Sequence, residues 1–166
     1  NTLESLGIVY AIGGSFASIA YSEIRTTADI DISIVLTAAE IMAFVNAMQA
    51  LEYYVTFDDV LEALMYKQPF NVLDPESGFK ADMFIMEPTP LEESILARKR
   101  RIVYDSSTNA AAVLYSPEDV ILYKMKYYLM GKSQKHLRDI AAMLATQGEA
   151  LDYDYIERWA NEIGVI

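Results

Sequence analysis

The sequence predicts a mixed α/β fold of the α+β kind. A strand-and-helix core covers residues 1–105, and a helical extension over 106–166 packs on it as a single compact unit. Three observations carry this. Gly7-Ile-Val-Tyr-Ala-Ile12 is a short apolar run ending in Gly13-Gly14, as a buried strand feeding a tight turn does. Asp29-Ile-Asp-Ile-Ser-Ile-Val35 alternates polar and apolar residues, the period of a strand with one buried face. From Ser116-Pro-Glu-Asp119 onward the pattern is helical, with a cap residue and a first-turn proline in place.

The remaining elements follow in order. Ser15 is the expected N-cap of a helix reaching Glu23, and residues 25–28 form a connector to the Asp29 strand. Thr37-Ala-Ala-Glu40 fits a capping box, with Ile41, Phe44, Val45, Met48 and Leu51 on one stripe of the helix behind it. A shorter helix covers 58–66, opened by Thr56 or Asp58. Phe70–Leu73 and Phe79–Met86 read as a hairpin about the turn-forming Asp74-Pro-Glu-Ser-Gly78. Thr89-Pro90 starts a further helix, while Ile102–Tyr104 and Ala112–Leu114 read as minor strands. Helices near 117–130, 134–146 and 152–163 are separated at Gly131 and Gly148.

Composition narrows the function classes. A chain of 166 residues with 53% apolar content can bury a core and is not a disordered segment. With no cysteine there is neither a disulfide framework nor a thiolate metal site, and a reducing, cytoplasmic setting is expected. The uncharged run from Ser5 to Ser22 is broken by Gly13-Gly14 and several hydroxyls, so it reads as strand, turn and helix rather than a membrane span. No basic segment precedes it, so a signal peptide is not expected. A net charge of −11 argues against a generally basic nucleic-acid binder. Residues 98–138 nevertheless hold nine of the thirteen Lys and Arg and three of the 24 acids, a local balance of +6. That asymmetry fits either one cationic wall for a phosphate-bearing ligand or a solvated helix face.

Three acids form the chemical centre of the sequence. Asp29 and Asp31 alternate on a strand and so share a face, about 7 Å apart. Asp82 lies inside a second apolar run, Phe79–Ile85, and completes a cluster if the two strands are neighbours. Like charges in one place call for cations, and carboxylates together with substrate phosphates are the usual ligands of Mg²⁺. Two such ions can hold the attacking and leaving oxygens of an in-line displacement. Gly13-Gly14-Ser15 lets backbone amides approach a phosphate, with the serine hydroxyl as an added donor. Each element alone has an ordinary reading, an exposed strand face or a simple turn; their joint order is what points to nucleotidyl transfer.

That order resembles the DNA polymerase β-like nucleotidyltransferase superfamily, whose pattern is Gly-Gly/Ser, a gap, then Asp-h-Asp. The gap here, residues 16–28, is thirteen positions. Arg25-Thr-Thr-Ala-Asp-Ile-Asp31, Ser116-Pro-Glu-Asp-Val-Ile-Leu-Tyr-Lys-Met125 and Lys135-His-Leu-Arg-Asp-Ile140 are similar to segments of its small prokaryotic members, including the AbiEii-type toxin group. The resemblance implies a mixed β-sheet flanked by helices and transfer of a nucleoside monophosphate from an NTP. The acceptor hydroxyl would belong to an RNA, a protein or a small alcohol, and Mg (or Mn) would act as two ions with the bound NTP. By position, Asp29, Asp31 and Asp82 would hold metal, and Gly13, Gly14, Ser15, Arg25, Thr27 and Lys124 would contact nucleotide. Lys135 and Asp139 would be accessory, Asp139 orienting the site or ligating beside it. A toxin–antitoxin role, a partner protein and a homo-oligomer all follow from the likeness alone. His136 stands where relatives often carry Asp, which keeps open a catalytically weak or inactive module that binds nucleotide or protein.

Other conspicuous residues have plainer readings. His136, the only histidine, is expected on a helix surface. Lys124 and Lys126, about 200° apart on a helix, are expected to face different ways. Arg98-Lys-Arg-Arg101 reads as a solvated helix end, and the twelve tyrosines chiefly as packing residues.

Overall fold

The computed structural model describes residues 2–22, 26–27 and 29–166. Its centre is a six-stranded mixed sheet in the order β3-β4-β2-β1-β6-β5. The strands are β1 (Tyr10–Ile12), β2 (Asp29–Ile34), β3 (Phe70–Leu73), β4 (Lys80–Ile85), β5 (Arg100–Asp105) and β6 (Ala110–Leu114). Strand β2 pairs antiparallel with β1 and parallel with β4, and β1 pairs parallel with β6. The two edges are antiparallel hairpins, β3–β4 and β5–β6. The expected minor strands at 102–104 and 112–114 are therefore a full hairpin of the same sheet, which runs to Leu114.

The helices are α1 (Thr2–Ser5), α2 (Gly14–Ala20), α3 (Ile41–Ala50), α4 (Phe57–Tyr66), α5 (Pro90–Arg98), α6 (Pro117–Gly131), α7 (Gln134–Gln147) and α8 (Tyr153–Glu162). Local chemistry sets their starts. The Thr56, Thr89 and Ser116 hydroxyls each accept the backbone N–H three residues on, at 3.2, 3.3 and 3.2 Å. At Thr37 the Glu40 carboxylate reaches back to the Thr37 N–H at 2.8 Å, ahead of α3. The stripe of α3 buries Ile41, Phe44, Val45 and Met48; Leu51, past the helix end, is exposed rather than buried.

The C-terminal helices are tied to the sheet through α6, which packs against α2, α7 and α8. At its N-terminus Asp119 is fully buried and accepts hydrogen bonds from Ser116 and Tyr155, at 2.6 and 2.7 Å. The neighbouring Glu118 pairs with Arg98 at 3.1 Å, and the Arg98 guanidinium lies 4.0 Å above the Tyr155 ring. Arg98 is thus built into the α5–α6–α8 junction and is not a solvated helix end. Among the described residues, no helix is long and apolar enough to cross a membrane.

Candidate active site

Strand pairing brings the three acids together. In the parallel β2–β4 ladder Asp31 stands opposite Asp82, and Asp29 opposite Lys80. Neighbouring strands are about 4.8 Å apart, so Asp31 and Asp82 are lateral neighbours on one face of the sheet. Burial, with the Asp82 charge beside it, pushes the Asp31 carboxyl above its ordinary range; the Ser15 amide and Lys124 pull the other way.

The glycine turn closes on this pair. Gly13 donates its N–H to the Asp31 carbonyl at 2.9 Å, and the Ser15 N–H bonds the Asp31 carboxylate. Gly14 adopts φ +58°, and a Cβ there would fall 1.6 Å from Asp31 Oδ2. Only glycine permits both the backbone conformation and the approach. Ser15 is not the N-cap expected from the sequence. The cap is Gly13, and Ser15 is the second residue of α2.

Lys124, on α6, is buried and binds Asp139 of α7 at 2.6 Å. Asp139 thus holds the lysine rather than standing in the acid cluster. Thr27 donates its hydroxyl to the Asp29 carbonyl at 3.2 Å. Arg25 lies outside the described residues.

These groups line one cavity of about 560 Å³, with Gly13, Gly14, Ser15, Thr27 and the three acids on one side and Lys124, Lys126 and Lys135 on the other. The opposite face of the same two strands presents Ile30, Ile32, Ala81 and Met83 to a second, mainly apolar cavity of about 500 Å³, which Thr27, Asp29 and Lys80 also line. The expected cationic wall is split in two. Lys124, Lys126 and Lys135 reach the cavity, whereas Arg98 and Arg101 pair with Glu118 and Glu4.

The architecture matches solved structures. The antibiotic-resistance factor ANT(2'')-Ia aligns over 98% of this chain and 90% of its own, with a TM-score of 0.59 and 14% identity. The lincosamide antibiotic adenylyltransferase LnuA, solved with lincomycin bound, covers 85% of this chain and 90% of its own, with a TM-score of 0.54 and 11% identity. An antigenic nucleotidyltransferase-like protein from Paracoccidioides brasiliensis covers 86% of this chain and 70% of its own, at 0.54 and 19%. The chain has the nucleotidyltransferase fold. No protein-family model and no curated protein matches the sequence.

Within this nucleotidyltransferase fold the donor set suits a hard divalent ion: three carboxylates share a wall, and two in register repel each other. Among the described residues, no three carboxylate or imidazole groups are gathered tightly enough to cage an ion as they stand. Lys80, two residues before Asp82 and on the same face, places its ammonium 2.9 and 3.2 Å from the two Asp82 oxygens. Sequence reading missed Lys80, although its spacing to Asp82 on a strand carries the signal.

It also missed the aromatic wall. Tyr115, Tyr123, Tyr127 and His136 line the cavity in sequence, with ring centroids 5.6, 6.1 and 6.0 Å apart. Tyr115 fixes itself to β2 by a 2.6 Å hydrogen bond between its hydroxyl and that of Ser33. His136 is part of this wall rather than a plain surface residue. Lys126, expected to face away from Lys124, curls over the Tyr123 ring at 5.6 Å and reaches the same cavity. Helical angle fixes where a side chain starts, but a long lysine stem can bridge the difference.

Proposed function

We propose that this protein is a nucleotidyltransferase that moves a nucleoside monophosphate from an NTP to a hydroxyl of a small molecule. The observation that carries the reading is the in-register Asp31–Asp82 pair, with Asp29 on the same wall and Gly13-Gly14-Ser15 closed against Asp31, lining one cavity together with Lys124. The structural neighbours favour a small acceptor over RNA or protein. LnuA is described as an adenylyltransferase with lincomycin bound, and ANT(2")-Ia was solved with adenylyl-2"-tobramycin.

In this reading Ser15 and Lys124 bind the phosphate tail, and Lys126 and Lys135 add positive charge at the rim. The acceptor oxygen forms a bond to the α-phosphorus, the bond from that phosphorus to the bridging oxygen breaks, and pyrophosphate departs. The Asp82 carboxylate takes up the hydroxyl proton after Lys80 withdraws from it. Asp29, Asp31 and Asp82 would hold Mg²⁺, which would neutralise the triphosphate and polarise the reacting oxygens. The residues themselves orient the reactants.

The test is pyrophosphate release and label transfer from each of the four NTPs with Mg²⁺ across a panel of hydroxylated small molecules. Transfer is expected from the wild type and lost in the Asp29→Asn, Asp31→Asn double variant; undiminished transfer by that variant would overturn the assignment. The Lys80–Asp82 contact favours a second reading, a module that binds nucleotide without turning it over. Calorimetry showing NTP–Mg²⁺ binding without pyrophosphate release from any acceptor would select it. A toxin–antitoxin role rests on sequence likeness, and growth arrest on induced expression is its check.

A further inference from the structure

Building on the nucleotide-binding reading, we propose that His136 offers a neutral Nε2–H to the phosphate tail, as a hydrogen-bond donor and not as a base. His136 lines the cavity from the first turn of α7 and stacks on Tyr127 of α6, with ring planes 27° apart. Its Nδ1 is sealed from solvent and has no hydrogen-bond partner among the described residues. An orphaned buried N–H is among the rarest states in proteins, whereas a lone pair without a donor is better tolerated. The single proton of the neutral ring therefore sits on Nε2, the nitrogen left to serve the cavity.

The surrounding charges reinforce this. Lys124 faces the ring from α6, alongside the Tyr127 phenol, and Lys135 and Asp139 face it from its own helix. Burial and the Lys124 ammonium, opposed by Asp139 and aided by Lys135, hold the imidazole below its ordinary pKa. A second proton would have to occupy the sealed Nδ1, adding charge where no described residue offers an acceptor. The neutral N–H then adjoins Lys124, Lys126 and Lys135 on the cationic side of the cavity, opposite Ser15. A phosphate oxygen is the ligand atom that such a set of donors fits.

Two measurements test this, and each can overturn it. His136 is the only histidine, so long-range ¹H–¹⁵N spectra of the free protein report one ring without assignment. The Nε2–H tautomer is expected at pH 7; a protonated Nδ1, alone or with Nε2, sinks the proposal. Calorimetric titration with tripolyphosphate and Mg²⁺ should then show about tenfold weaker binding for His136→Ala and His136→Asn. His136→Gln, whose side-chain amide reaches the Nε2 position, should stay within about threefold of wild type. Equal affinity for the Ala variant and wild type, or a Gln variant as weak as Ala, overturns the donor role. A wild type that binds no tripolyphosphate would instead defeat the nucleotide-binding reading, and the phosphate partner of His136 with it. Thermal melting of each variant separates lost contact from lost fold.

Discussion

Gly14 and Asp31 are fitted to each other: a Cβ on Gly14 would lie 1.6 Å from Asp31 Oδ2 and 2.5 Å from its Cγ. Gly14→Ala must therefore strain a backbone at φ +58° and also evict the carboxylate from its place against the Ser15 amide. Urea unfolding should show a loss of about 2–4 kcal/mol. Nucleotide transfer should fall by about a hundredfold or more, since an ångström of misplacement at reacting groups costs that much. Gly131→Ala is the control. It ends α6 with open space around it, and should gain about 0.5 kcal/mol without touching transfer.

Asp31 is held at some expense of stability. Its pKa is raised in the fold, by burial first and by Asp82 second. The sign follows: its contribution is fully present below the ordinary value of 3.8 and is lost as pH rises through the raised folded value. Without divalent metal, Asp31→Asn should therefore be more stable than wild type at pH 7, by about 1 kcal/mol or about 3 °C in Tm. The gap should shrink toward pH 4, where the wild-type carboxyl begins to protonate. Added Mg²⁺ should narrow it at pH 7 by stabilising the wild type alone. Melting curves across pH, with and without Mg²⁺, provide the check. A wild type more stable than the variant at pH 7 without metal would mean the repulsion is already compensated.

Lys80 supplies a countercharge to Asp82, which the proposed reaction gives to a divalent ion, with both side chains partly exposed. Ammonium and metal then compete for the same oxygens. Lys80→Met should tighten Mg²⁺ binding by about two- to fivefold, the range expected of a solvent-screened pair. Magnesium titration in the presence of tripolyphosphate measures it. Weaker metal binding in the variant would instead make Lys80 a phosphate contact.

The sequence carried the parts of this site that depend on local pattern. Alternation at 29–35 put Asp29 and Asp31 on one face, the Gly-Gly turn placed a close approach just ahead of α2, and Ser116-Pro117 marked the start of α6. The in-register meeting of Asp31 with Asp82 was conditional, because strand order is fixed by long-range packing and not by either strand alone. The β5–β6 hairpin was read as two minor strands for the same cause. The residues of β6 do not show its pairing to β1, nor those of β5 its pairing to β6. The tyrosine wall was illegible because Tyr115, Tyr123 and Tyr127 have the spacing of ordinary core residues. Only the packing of α6 against α7 brings that row, and His136 with it, to the cavity that the acids line. Ser15 was misread as a cap because its side-chain chemistry suits one, but Gly13 takes that place so that the Ser15 amide can meet Asp31.

Lys124 and Asp139 lock α6 to α7 through a buried 2.6 Å contact, with the two residues only 3% and 8% exposed. Removing the carboxylate leaves a buried ammonium without that countercharge, and such losses cost more than the pair contributes. Asp139→Ala should destabilise the protein by about 3 kcal/mol in urea unfolding. Replacing both partners, Lys124→Met with Asp139→Leu, removes the charge and should recover most of that loss. Transfer activity should separate the two roles. The stable double variant is expected to remain inactive, because Lys124 also lines the cavity beside Asp31. Recovery of activity together with stability would reduce Lys124 to a packing element and leave the phosphate tail to Ser15, Lys126 and Lys135.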